Sequence, residues 1–138
     1  MKKLVALALV SLVFVSLLGS YVRAEEIGVV PFYDYTEDLY VKLSIDSKGK
    51  ATCAGEVVPK KATYSCSISV KLQKKNGSSW TTLSTWTGSG EGYAGASAGG
   101  TRQVSSGNTY RVYVSATVRD ASGKVVETPT KASSEKAF

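Results

Sequence analysis

The chain of 138 residues carries 17 Lys and Arg against 11 Asp and Glu, a formal net charge of +6, and contains no histidine. The missing imidazole removes the usual general base, the usual serine triad and the commonest zinc ligand, so composition argues against the familiar hydrolytic chemistries. At this length there is room for one domain of ordinary size and not for two.

Residues 1–24 read as a cleaved N-terminal signal helix. Lys2 and Lys3 form a basic start, 4–19 is an uncharged apolar run, and Val22-Arg23-Ala24 precedes an acidic Glu25-Glu26. The apolar run is shorter than the roughly 20 residues of a spanning helix and contains Ser11 and Ser16, so a secretory leader is expected rather than a retained anchor. Without it the chain keeps 114 residues with 14 basic and 11 acidic side chains, a net charge of +3. Lys60-Lys61 and Lys74-Lys75 are then the only adjacent basic pairs, both where turns are expected, and no basic stripe for nucleic acid remains. An extracellular address follows, with possible association with the cell envelope and no stable membrane insertion after cleavage.

Residues 25–38 form an acidic lead-in, and 39–138 carry the signature of half-buried strands. Tyr64, Cys66, Ile68, Val70 and Leu72 alternate with Ser65, Ser67, Ser69, Lys71 and Gln73. The same period returns in Tyr110, Val112, Val114, Ala116 and Val118, opposed by Arg111, Tyr113, Ser115, Thr117 and Arg119. Shorter strands are expected at 41–46, 50–58, 80–87, 92–104 and 125–130. The turns between them have a mechanism: Asn76-Gly77-Ser78 suits a tight hairpin, while Asp46 to Gly49 and Asp120 to Gly123 put Asp first and Gly fourth. About seven short strands with regular turn signals predict an all-β, two-sheet sandwich, with a small barrel as the other architecture.

Cys53 and Cys66 are the only cysteines. Each shares its parity with apolar neighbours, so both are expected to point inward, and in an exported chain a disulfide between facing sheets is the expectation. The stretch Gly107-Asn108-Thr109-Tyr110-Arg111-Val112-Tyr113-Val114 and the turn after it resemble the last hairpin of fibronectin type III and other immunoglobulin-like domains, with Tyr110 at the position where a Tyr begins the penultimate strand. The segments LSIDSKGKATCAGEV (43–57), YSCSISVKLQKKNGSSWTTLSTW (64–86) and SGNTYRVYVSATVRDASGKVVET (106–128) are similar to a family of small secreted proteins of Gram-positive bacteria, catalogued as a domain of unknown function. That likeness implies a secreted single-domain sandwich with one disulfide and no assigned activity.

No constellation points to an enzyme or a cofactor. Asp34, Glu37 and Asp38 lack the loop pattern of a calcium site and read as a solvated turn, so no metal is expected. The surface candidate is aromatic: Trp80 and Trp86, six residues apart on one strand, would share a face, and with Tyr113 they would form a strip for stacking on a sugar or binding a partner. The expectation is a non-catalytic binding or structural module for a cell-surface glycan or protein, the alternative being a secreted effector or antagonist of neighbouring cells.

Overall fold

The structure is a computed structural model that describes residues Tyr33–Phe138. The leader at 1–24 and the first part of the lead-in lie outside the described residues.

The described chain is all-β, in two antiparallel sheets. Its strands are β1 (Thr36–Ile45), β2 (Lys50–Pro59), β3 (Ser65–Asn76), β4 (Ser79–Glu91), β5 (Ala96–Gln103), β6 (Thr109–Arg119), β7 (Val125–Glu127), β8 (Thr130–Ala132) and β9 (Lys136–Ala137). A three-stranded sheet runs β1-β2-β5, and a six-stranded sheet runs β4-β3-β6-β7, with β8 and β9 also pairing with β6. The two long alternating segments, β3 and β6, lie side by side at the centre of the larger sheet. Their inward residues Val70, Leu72, Val112, Val114 and Val118 are all fully buried, as is Val57 from the facing sheet. Gly55 lets the layers close here, since a Cβ on it would press on the side chains of Val70 and Val114.

Two expectations about strands need correction. The single strand expected at 125–130 is broken into β7 and β8, with β9 further on, giving nine strands among the described residues instead of about seven. Pro129 lies in the break, and its carbonyl still accepts a 2.9 Å bond from Ala116 N. A proline without a backbone donor is tolerated at such an edge and interrupts its ladder. At the other end, β1 begins at Thr36 inside the expected lead-in. A ladder irregularity between Thr36 and Asp38 puts Thr36 and Leu39 both inward, three residues apart, which hides the period of two.

The hairpin turns follow their chemistry. Asp46 Oδ1 accepts from the backbone of Lys48 and Lys50, and Asp120 Oδ1 accepts in the same way from Ser122 and Lys124. Gly49 and Gly123 close the two turns with φ of 84° and 86°, a region that a Cβ disfavours. The Ser122 hydroxyl, followed by the Lys124 amide, holds the Asp120 carboxyl below the usual aspartate range.

The disulfide expected between Cys53 and Cys66 is absent, and both residues are free, buried thiols. Both do point inward. The facing sheets, however, meet in a register that sets Cys66 against Val57, with its Sγ 3.9 Å from the Val57 carbonyl and 3.7 Å from that of Gly90. Cys53 lies four residues further along β2, about 13 Å away at strand rise, far beyond the Cα separation a disulfide spans.

Candidate functional site

The outer face of the six-stranded sheet gathers the side chains with recognisable binding chemistry. Rows across it follow from pairing, because residues directly opposite each other share a face. Trp80 stands opposite Lys75; Thr82 and Arg111 flank Gln73; Thr85 and Tyr113 flank Lys71. The Arg111 guanidinium lies 4.2 Å from the centre of the Trp80 ring and 5.2 Å from that of Tyr113. Its Nε donates to Gln73 Oε1 at 2.8 Å, which fixes the plane of the fork. Lys75 adds a second cation 5.8 Å from the Trp80 ring and pairs with Glu135 at 3.3 Å. Trp80, Arg111 and Tyr113 are all half-buried, held by their neighbours yet reached by solvent.

Trp86 does not belong to this group. β3 and β4 slip by one residue at Leu83: Leu72 pairs with Ser84, and Gln73 with Thr82. The extra residue reverses the parity of β4, so Trp80 faces outward and Trp86 inward. Leu83 and Trp86 both pack on the core as half-buried residues. The Trp86 indole lies over Gly100 of β5, where any Cβ would collide with it. It therefore covers the open seam between β4 and β5, the packing role that large aromatics commonly fill on sheets. The bulge carbonyl of Leu83 accepts from Arg102 Nη1, which also reaches Ser84 Oγ at 2.8 Å.

Of the strip expected from sequence, the structure brings Trp80 and Tyr113 together and separates Trp86. Arg111, which joins them, is the residue that sequence reading passed over. It was visible as an outward position between Tyr110 and Val112, but only the pairing of β3 with β6 shows that Trp80 reaches it. Beside this stack the face turns to hydroxyls. Thr87 and Ser115 flank Ser69, with Thr130 paired beyond Ser115, and Ser89 and Thr117 flank Ser67 in the next row.

The arrangement offers aromatic surface, a fixed guanidinium fork and hydroxyls, which suit recognition of a polar, hydroxyl-rich ligand. Burial pushes the Cys53 thiol up to about 11 and also raises that of Cys66, so neither is an activated nucleophile. Among the described residues no three His, Cys, Asp or Glu side chains come together as a metal site. Among them, too, no helix is long and apolar enough to cross a membrane. The chain matches no model of a known protein family and no curated protein sequence.

Proposed function

We propose that this protein is an exported, non-catalytic binding module of immunoglobulin-like, fibronectin type III-like build that holds a cell-surface glycan on the outer face of its larger sheet. The observation that carries the reading is the Trp80–Arg111–Tyr113 stack. An aromatic surface beside a guanidinium whose plane is already fixed by Gln73 offers a sugar a stacking partner and two-pronged hydrogen bonding at little cost in lost side-chain freedom. The leader-like sequence at 1–24 and the likeness to small secreted proteins support the extracellular address.

Two features support the fold assignment. Strands one, two and five form one sheet, while three, four, six and the last strands form the other, as a fibronectin type III topology requires. Tyr110, 1% exposed at the start of β6, donates its hydroxyl to the Ser105 carbonyl at 2.6 Å, a backbone tie of the kind called a tyrosine corner.

Binding to cell-envelope fractions and to an array of neutral and acidic glycans tests the function. Arg111→Gln and Trp80→Ala are each expected to weaken retention about tenfold, the loss of one good contact. Glu37→Gln, remote on β1, should bind as the parent does. An absence of retention on envelope and array alike, or parental binding by both stack variants, would remove the proposal.

A further inference from the structure

The opposite end of the same sheet face holds a second, differently built concavity. It encloses about 460 Å³, with Ser65, Ser67 and Ser89 on its floor and Glu91 and Arg119 among its lining residues. Pairing explains the arrangement: Ser65 on β3 stands opposite Glu91 on β4 and opposite Arg119 on β6, so an acid and a base flank a single serine. With neighbouring strands about 4.8 Å apart, the two Cα atoms are separated by about 10 Å. Arg119 lies eight residues from Arg111 along β6, about 27 Å at strand rise, so the trough is separate from the aromatic stack.

The two charges do not satisfy each other. Among the described residues the only ion pair is Lys75–Glu135, and the Glu91 carboxylate has no hydrogen-bond partner there. Arg119 uses Nη1 to bond the Gly123 carbonyl at 3.2 Å, which steadies the guanidinium and leaves its other donors free. An adjoining hollow of about 250 Å³ shares Ser65 and Glu91 and reaches Asp120, whose Oδ1 is taken up by Ser122 and Lys124 in the turn after β6. One wall of the site thus carries an acid and the other a base, with a floor of hydroxyls between them.

We propose that this trough binds a small zwitterion of dipeptide size, with its ammonium at Glu91 and its carboxylate at Arg119. An extended dipeptide spans about 7 Å, which leaves room for one hydrogen bond at each end of the gap. Its peptide group would lie over the Ser65 and Ser67 hydroxyls. Charge-assisted bonds at both ends supply recognition that neither a simple cation nor a simple anion obtains. A neutral sugar meets neither charge, which distinguishes this site from the aromatic stack in its chemistry.

Three probes test the inference by amide-shift titration of the full chain in NMR: alanyl-alanine, its N-acetylated form, which carries only the carboxylate, and its C-terminal amide, which carries only the ammonium. The zwitterion is expected to bind about tenfold more tightly than either single-charge probe, the loss of one charged contact. Its shifts should map to Ser65, Ser67 and Glu91. Glu91→Gln should bring the zwitterion down to the affinity of the N-acetylated probe, and Arg119→Gln to that of the amide. Both side chains are exposed, and an unchanged spectrum elsewhere verifies the fold of each variant. Equal affinities for the three probes, shifts confined to another surface, or no saturable shift at all would overturn the site.

Discussion

At the scale of the residue, the two cysteines show how burial substitutes for pairing. Cys53 is 2% exposed and Cys66 4%, and desolvation disfavours the thiolate of both. A thiol held neutral and out of contact with solvent resists oxidation, so the fold needs no bridge to keep these sulfurs quiet. Both are expected to escape labelling by a water-soluble thiol reagent in the native protein and to react fully in denaturant. The raised Cys53 thiol also has a signature in pH. The unfolded chain releases this proton near 8.5 and the folded chain near 11, so stability is fully present below about 8.5 and declines as pH climbs toward 11. In that window Cys53→Ala should lose stability less steeply than the parent by about 1.4 kcal/mol per pH unit, read from urea midpoints. Tyrosine ionisation is common to both proteins and cancels in the comparison.

The element that matters most for the surface is β4, because one extra residue determines what its two indoles do. Sequence spacing gives Trp80 and Trp86 the same parity, and a straight strand would present both on one side. The bulge at Leu83 removes that equivalence by leaving one residue of β4 without an opposite number on β3. Deleting Leu83 should therefore restore a straight ladder with Thr82 still opposite Gln73 and Ser84 still opposite Leu72, so that both indoles keep their faces. The expected result is a loss of about 1–3 kcal/mol in urea unfolding, because the packing of Leu83 on the core goes with it. Glycan retention should survive, because Trp80 stays opposite Lys75 and within reach of Arg111. Leu83→Ala, which keeps the bulge and only trims its packing, should retain binding at reduced stability. Nothing in the run Thr81-Thr82-Leu83-Ser84 marks a bulge, since all four residues are at home in a strand, and the irregularity exists only relative to β3.

At the scale of the whole molecule, the sheets are tied at one edge by side chains rather than by a shared ladder. Glu127 at the end of β7 accepts from the Thr36 hydroxyl at 2.6 Å and from the Asp34 amide at 3.0 Å. Lys131 of β8 donates to the Leu39 carbonyl at 3.1 Å, and the Tyr33 hydroxyl to the Thr130 carbonyl at 3.0 Å. Thr36 is 2% exposed, so removing its acceptor leaves a buried hydroxyl without a partner. Glu127→Ala is expected to cost about 1–3 kcal/mol, whereas Glu127→Gln, which keeps one acceptor oxygen, should cost less. Hydrogen exchange should show the loss as faster exchange along the start of β1, with the amides of Val70 and Val112 still protected. Uniform acceleration through the core would mean that the tie is not local.

Much of this architecture was legible in the sequence because it is local. The period of two in β3 and β6 is a property of backbone geometry, so it revealed which residues of each strand face inward, Cys66 among them, as the parity of β2 did for Cys53. The Asp46 and Asp120 turns announced themselves because their hydrogen bonds close within four residues. The relation between layers was not legible: that Cys66 meets Val57 and not Cys53, that Trp80 reaches Arg111, and that Glu91 and Arg119 flank one serine. Each of those pairings depends on a register between segments distant in sequence, set by the sum of core packing and by a bulge visible only against its partner strand. The chain by itself determined which way its side chains point, and only the tertiary structure decided what they meet.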